Sequence, residues 1–404
     1  MVATLRFRRT LLLSMPLLLL PPVAFADDGF RACVEGLAEQ ARIEGISNAT
    51  IDRDLRSITL QRRVLELDRR QPEFVQTFWQ YYELRVSEQR VQTGRERLAE
   101  YRQALEEVHR EYGVRPEYMV ALWGLETNFG SHFGEMPVLD SIGTLACDPR
   151  RSGFFRNQLM AALRLVDAGH IRTERMRGSW AGAMGHLQFM PSTYEQHAVD
   201  ATGDGRSDPW ENLEDALATG ANYLRSMGWR DGQRWGREVR LPEDFDYGLA
   251  DLDDRRPLAE WADLGVHRVD GSPLPQADME AALLLPAGHR GPAFLVYRNF
   301  RVIMRWNMST SYALAVGLLA DQLAGGEGLR ASEPAGSEPL RRDDVRELQQ
   351  RLADGGFDPG PVDGILGRQT RAAVRAFQHA EDLPADGYPD ARLLRQLRAS
   401  TGSD

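Results

Sequence analysis

The period of the apolar residues is what most constrains this chain. From Phe30 to about His109 they recur at helical spacing, with Phe74, Phe78, Tyr81 and Tyr82 among them, and helices continue to about Gly228. Between Trp235 and Phe300 the pattern shifts to short runs such as REVRLP, GVHRVDG, ALLLP and AFLVYRNF, bounded by Gly and Pro. That predicts a small β-rich insertion in a mainly α protein. Helical spacing returns in SYALAVGLLADQL (311–323) and gives way to AGGEGLRASEPAGSEP, which has linker composition. Residues 326–340 are therefore expected to be a linker, and 341–404 a separate helical bundle near the lower size limit for an autonomous core. Within that unit GPVDGILGRQTRAAVRAFQ is echoed by LPADGYPDARLLRQLR, with Asp363-Gly364 matching Asp386-Gly387.

The first 26 residues stand apart. Arg6, Arg8 and Arg9 precede an apolar run from Leu11 to Leu20 that ends at Ala24-Phe25-Ala26. This reads as a secretory signal peptide (1–26) cut after Ala26, with a periplasmic destination. A membrane anchor is the alternative, but the run is short for a span and is broken by Pro16, Pro21 and Pro22. No stable membrane insertion is expected. In an oxidising compartment Cys33 and Cys147 are a candidate disulfide; two unrelated buried thiols are the other reading. The formal charge of -10 argues against nucleic acid or an anionic membrane as partner. No HExxH or GxSxG pattern points to a metalloprotease or serine hydrolase.

One carboxylate is out of place. VRPEYMVALWGLETNFG predicts a helix with Pro116 in its first turn and its end at Gly130, after Asn128. Stepping by four, Tyr118, Leu122 and Glu126 share a face, flanked by Trp123 and Phe129. Desolvation by these neighbours and the negative end of the helix dipole both favour protonated Glu126. A proton held near neutral pH is what a general acid needs. The bland alternative is a helix-terminal Glu reaching solvent or an arginine. Further on, GSWAGAMGHLQFMPSTY has Gly178, Gly182 and Gly185, which would let backbone approach a sugar, with Ser179 and Gln188 as neutral hydrogen-bonding groups. A plain glycine turn leading into a helix at Pro191 fits the same residues.

DATGDGRSDPWE has EF-hand spacing, with Asp200, Thr202, Asp204 and Asp208 at positions one, three, five and nine, Gly205 at six and Glu211 at twelve. Arg206 would offer only its backbone carbonyl. Hard oxygen ligands favour Ca2+, and an acidic turn without metal is the alternative.

Five motifs occur in order: GVRPEYMVALWGLETNFG, GSWAGAMGHLQFMPSTY, GDGRSDPWEN, ANYLRSMGW and NFRVIMRWNMSTSYALAV. Together they resemble the lytic murein transglycosylase B family from about Phe30 to Leu323. The resemblance implies a lysozyme-like catalytic domain, bounded here as 27–325. It implies cleavage of the β-1,4 bond between N-acetylmuramic acid and N-acetylglucosamine without water, leaving a 1,6-anhydro end. The family's sole catalytic acid falls on Glu126, and Glu135, Asp140 and Asp148 fall on no catalytic position. Ser179, Gln188 and Asn307 are placed among substrate-contacting residues. Trp306, counted with them as substrate-binding, stands where the family has tyrosine, and Tyr81, with Tyr82 adjacent, matches its substrate-facing tyrosine. The family's metal loop is closed by a later aspartate, which makes Asp215 a rival to Glu211. The 341–404 unit resembles the type 1 peptidoglycan-binding domain. Peptidoglycan glycan strands are the implied partner, and a monomer is expected. A non-catalytic wall-binding protein and a hydrolytic muramidase are the competing readings.

Overall fold

The computed structural model describes residues 24–69, 76–334 and 338–400. The expected signal peptide lies almost wholly outside the described residues, as does Phe74. Among the described residues no helix is long and apolar enough to cross a membrane.

Helix Pro116–Thr127 is the axis of the larger module. Proline opens it, and Asn128 caps it in the left-handed region at φ 49. The expected apolar stripe is in fact a whole surface: every residue from Tyr118 to Leu125 is buried, as is Thr127. The reason is enclosure, since Glu88–Glu100, Arg102–Tyr112, Leu213–Ser226 and Thr310–Leu323 all pack around this helix. A second layer, Val138–Cys147, Ser152–Asp167 and Pro191–His197, stacks beside it. The N-terminal helix Ala24–Ile43 is joined to that layer by a Cys33–Cys147 disulfide, with Cα atoms 6.0 Å apart. Asp140 holds the chain at Thr59 and Gln61, and Asp148 pairs with Arg69.

The insertion is a five-stranded antiparallel sheet. Its order is Arg256–Pro257, Glu280–Leu284, Ala293–Val296, Gly236–Arg240, His267–Arg268. Alternate residues serve different cores. Ala282, Phe294 and Val296 face the main helical core, whereas Ala281, Leu283 and Leu295 face a smaller one built on Trp261, Phe245 and Leu258. Trp261 donates its indole N–H to the Ala281 carbonyl at 3.1 Å, which satisfies its one polar atom inside that core.

The C-terminal bundle contains helices Arg342–Asp354, Arg368–Ala380 and Ala391–Ser400 around Val345, Leu348, Val374, Phe377 and Leu394. The sequence echo has a structural cause. Gln349 accepts from Gly364 N–H at 2.9 Å and donates to Asp363, and Gln378 does the same for Gly387, at 2.8 Å, and Asp386. Each Asp-Gly turn is thus braced by a buried glutamine.

The segment expected as a linker and the bundle that follows it both contact the catalytic module. Arg330 and Ala331 donate their backbone N–H groups to Glu238 of the sheet, both at 3.0 Å. Asp386 accepts from the backbone and ring nitrogens of His289 at 2.8 and 2.6 Å, and Arg290 pairs with Asp390 at 3.2 Å. Gly288 makes this approach possible. At φ 72, a Cβ there would lie 2.8 Å from an Asp386 oxygen and 2.9 Å from Tyr388.

Candidate active site

Glu126 occupies the last turn of the central helix. The backbone stops it there: Asn128, Phe129 and Gly130 are successively left-handed, at φ 49, 58 and 78. Thr127 ties this end down by donating to the His186 carbonyl at 2.8 Å and accepting from Gly130 N–H at 3.1 Å. Trp123 donates to His186 Nδ1 at 3.0 Å, so that nitrogen is unprotonated, and burial pushes the imidazole pKa down to about 4. His186 is therefore a neutral brace at pH 7.

Two donors converge on the Glu126 carboxyl, both on Oε1. Trp306 Nε1 donates at 3.0 Å, and the Tyr312 hydroxyl makes the second bond. Trp306 is itself clamped, with Phe189 at 5.1 Å and Tyr223 at 5.4 Å between ring centroids. Tyr312 is buried one turn into Thr310–Leu323, a helix capped by Ser309. Glu126 is half-buried as a residue, but its carboxyl group is enclosed by these side chains. Desolvation raises its pKa to about 7 against the opposing bonds from Tyr312 and Trp306 and the positive charge of Arg85. Among the described residues no other carboxylate acts on it. Both hydrogen bonds engage Oε1, so Oε2 is the oxygen available to carry a proton.

The other expected site residues divide. Tyr81 is half-buried, its hydroxyl acidity weakened by burial and then by the Glu126 charge, while Arg85 lies 5.6 Å above its ring. Tyr82 points elsewhere, accepting from Gln322 at 3.3 Å, so of this pair it is Tyr81 that feels the Glu126 charge. Asn307 is exposed, with its side-chain oxygen on Ser309 N–H at 3.1 Å and its amide group left over. Ser179 accepts from Ala183 N–H at 3.0 Å, which leaves its hydroxyl hydrogen. Gln188 donates to the Phe133 and Gly185 carbonyls at 3.1 and 3.0 Å, leaving its oxygen as an acceptor. The three glycines of that loop are a correction. A Cβ on Gly178, Gly182 or Gly185 would overlap Ala183, Ile142 or Pro209 of the protein itself, so they permit internal packing and not approach of a sugar. Glu135, Asp140 and Asp148 lie outside the group around Glu126.

Sequence reading missed Tyr312. A signal was present: a tyrosine three residues after the cap Ser309, in a helix otherwise rich in Ala, Leu, Val and Gly, buries a phenol that needs a partner.

The metal-loop residues gather only in part. Asp200 accepts from Gly203, Asp204 and Gly205 N–H, Asp204 from Arg206 N–H, and Asp208 from Trp210 and Glu211 N–H. Glu211 turns out to Arg172 and Arg175, whereas Asp215 is buried and accepts from Ala201 and Asp208 N–H at 2.8 and 3.2 Å. Asp215 thus ties two points of the loop together through their backbone N–H groups. Thr202 accepts from Asn212 at 3.2 Å. The oxygen donors suit a hard cation in kind. Among the described residues, however, no three His, Cys, Asp or Glu side chains are gathered as a metal site.

Residues 29–321 match the transglycosylase SLT domain family and residues 341–397 match a peptidoglycan binding domain. The chain belongs to the transglycosylase SLT domain family, with a catalytic domain of the murein transglycosylase B type fused to a peptidoglycan-binding domain. The crystal structures of SltB3 from Pseudomonas aeruginosa, in complex with NAG-anhNAM-pentapeptide and with NAG-NAM-pentapeptide, are similar at 48% identity and TM-score 0.89. They cover 91% of this chain and 99% of that one. Membrane-bound lytic murein transglycosylase B of Escherichia coli (strain K12) is 33% identical over 245 residues, 59% of this chain and 65% of that protein. The chain thus spans slightly under two thirds of that curated relative. Escherichia coli Slt35 in complex with calcium is similar at 29% identity and TM-score 0.62, over 74% of this chain and 93% of that one.

Proposed function

We propose that this chain is a peptidoglycan lytic transglycosylase in which Glu126 acts first as acid and then as base. The observation that carries it is a carboxyl group poised near pH 7, with one oxygen held by two donors and, among the described residues, no second carboxylate acting on it. In the first step the C1–O4 glycosidic bond of N-acetylmuramic acid breaks and O4 takes the proton from Glu126. In the second, the sugar's own O6 bonds to C1 and its proton passes to the Glu126 carboxylate. The products are a free 4-hydroxyl on N-acetylglucosamine and a 1,6-anhydro end, and Glu126 is protonated again. A pair of carboxylates, as in ordinary glycosidases, is not required. Trp306 and Tyr312 stabilise the carboxylate that exists between the two steps. Tyr81, Ser179, Gln188 and Asn307 supply the remaining polar groups toward the strand.

The relative bound to NAG-anhNAM-pentapeptide supports the anhydro product over hydrolysis. We assign residues 1–26 to export and 27–325 to catalysis. The region 341–404 is assigned to wall binding, with 326–340 as the connection. A periplasmic location suits the Cys33–Cys147 bond, which an oxidising compartment sustains. Calcium is assigned as a weak structural ligand of the 200–215 loop through Asp200, Thr202, Asp204, Asp208 and Asp215, with the Arg206 carbonyl. The Slt35 calcium complex supports this.

Glu126→Gln tests the central claim. It keeps the shape and removes the acid, so purified variant is expected to bind wall sacculi yet release almost no anhydro-muropeptides, a loss of about 10⁴-fold if acid and base roles each contribute about 10²-fold. Mass spectrometry reads both amount and end group. Turnover within tenfold of the parent, or reducing muramic ends from the parent, would remove the assignment.

A further inference from the structure

Arg85 ends the helix Phe78–Arg85 four residues after Tyr81, so the two side chains share a face. The helix is fixed at its start by a Thr77–Gln80 capping box and by buried Phe78 and Trp79. At its end the Arg85 guanidinium lies over the Tyr81 ring, 5.6 Å from the centroid. Its charge acts from there on Glu126 of the central helix and on Tyr312 of Thr310–Leu323.

Among the described residues Arg85 makes no ion pair, and its Nε is buried without a hydrogen bond. The next helix brings a second cation instead of a partner. Arg90 donates to the Leu84 and Arg85 carbonyls at 3.2 and 2.6 Å, and burial first, then the charge of Arg85, lowers its pKa. Two guanidinium groups held near each other with no carboxylate to neutralise them oppose folding, because like charges repel most where water is scarce. This arrangement stands beside the carboxyl group that must lose its proton in the first step. Arg85 does not bond that carboxyl, whose two hydrogen bonds come from Trp306 and Tyr312. It acts through Tyr81 and through space.

We infer that Arg85 is a positioning residue for the cleavage: its guanidinium clamps the Tyr81 ring beside Glu126, and its charge stabilises the carboxylate left after the first proton transfer. The inference rests on the transglycosylase reading. A guanidinium over an aromatic face is attracted by the negative π cloud, and its plane restricts the swing of the ring. Loss of the Glu126 proton to O4 creates a negative charge that a nearby cation favours. A direct ion pair would favour it too strongly, because the carboxyl would be ionised before a strand arrived and would have no proton to give. With Arg85 standing off behind Tyr81, burial remains the larger effect on Glu126.

The test uses the full chain and soluble glycan strands. Arg85→Met keeps the apolar stem and removes the charge and the fork. Its kcat for anhydro-muropeptide release is expected to fall about tenfold with KM within about threefold of the parent, and the alkaline limb of kcat/KM is expected to move up by about 0.5 pH unit. Arg85→Lys, which puts a cation back over the ring, is expected to return the limb to within about 0.2 unit of the parent. A merely structural role would lower Tm and leave the limb in place. A limb in Arg85→Met within about 0.2 unit of the parent overturns the inference, and so does a loss carried wholly by KM, which would make Arg85 a strand-binding group. Should Arg85→Met not fold, Arg85→Gln is read in the same way. The clamp has its own readout. Tyr81→Leu combined with Arg85→Met is expected to lose no more than about threefold in kcat beyond the worse single variant, whereas full multiplication of the two losses would show that Arg85 does not act through Tyr81. If the parent releases no anhydro ends, the transglycosylase reading falls and takes the inference with it; if the parent releases them and the Arg85 variants match it, only the inference falls.

Discussion

Replacing Tyr312 by Phe removes one hydrogen bond and little else, which makes it a sharp probe of how the proposed acid is tuned. The hydroxyl donates to Glu126 Oε1 and favours the charged carboxylate, in opposition to desolvation, which is the larger effect and raises the pKa to about 7. Without the hydroxyl, Trp306 remains as donor and no protein donor is orphaned. A hydrogen bond to a charged group contributes about 1.5–3 kcal/mol, and one pKa unit corresponds to about 1.4 kcal/mol, so the Glu126 pKa should rise by about one to two units. The free enzyme needs protonated Glu126, so kcat/KM for anhydro-muropeptide release should fall above about pH 7 in the parent and above about pH 8–9 in Tyr312→Phe. The plateau should also drop, because the carboxylate formed between the two steps loses a donor.

The same shift acts on stability. Folded Glu126 holds its proton between its ordinary value of 4.5 and about 7, where the unfolded chain has released it. More protons are then bound in the folded state, so this group's contribution makes stability fall as pH rises through that window, and Tyr312→Phe should extend the fall to higher pH. Glu126→Gln should remove this component of the pH dependence. The measurements are pH profiles of kcat/KM from pH 5 to 10 and melting curves over the same range. An alkaline limb that stays within about 0.3 pH units of the parent, or moves down, would show that Tyr312 does not hold the ionised acid.

Two further outcomes are expected. Calcium at ten times its dissociation constant should stabilise the catalytic module by about 1.4 kcal/mol, raising Tm by about 2–4 °C; Asp215→Asn should abolish the rise and Glu211→Gln should keep it, and the reverse pattern would place the closing ligand at Glu211. His289→Ala with Arg290→Ala should free the C-terminal bundle, increasing the radius of gyration in X-ray scattering and speeding proteolysis between 326 and 341; a parent-like scattering curve would show that these contacts do not hold the modules together.

What the sequence disclosed followed from local periodicity and motif order. The central helix, its Pro116 start and the carboxylate in its last turn were legible because each depends on residues a few positions apart. The β-rich insertion was legible for the same reason, since Gly and Pro bound its short strands. What escaped depends on distant pairings. Tyr312 meets Glu126 across 186 positions, and that approach comes from packing of Thr310–Leu323 on the central helix, which no local period encodes. The choice between Tyr81 and Tyr82 was undecided because adjacent residues on a helix differ by about 100° in direction, and only the tertiary partners Glu126 and Gln322 separate them. In sequence, Gly178, Gly182 and Gly185 suggest room for a ligand. Glycine reports only that something comes close, and here that something is the protein's own chain. The linker composition of 326–340 does not register two backbone N–H groups directed at a single glutamate.

That last point alters how the C-terminal bundle acts. A module on a flexible tether raises the local concentration of strand near the enzyme but leaves orientation open. A module docked through Asp386 on His289 and Asp390 on Arg290 presents its ligand in one orientation relative to Glu126. Pre-organisation of this kind lowers the entropic cost of placing the scissile bond at the acid, provided the strand reaches both modules at once. The insertion sheet explains why the arrangement holds. One face of Ala293–Val296 packs into the helical core that carries Glu126, and the loop before that strand carries Gly288, His289 and Arg290 to the bundle. The sheet therefore links the core that carries Glu126 to the loop on which the bundle docks.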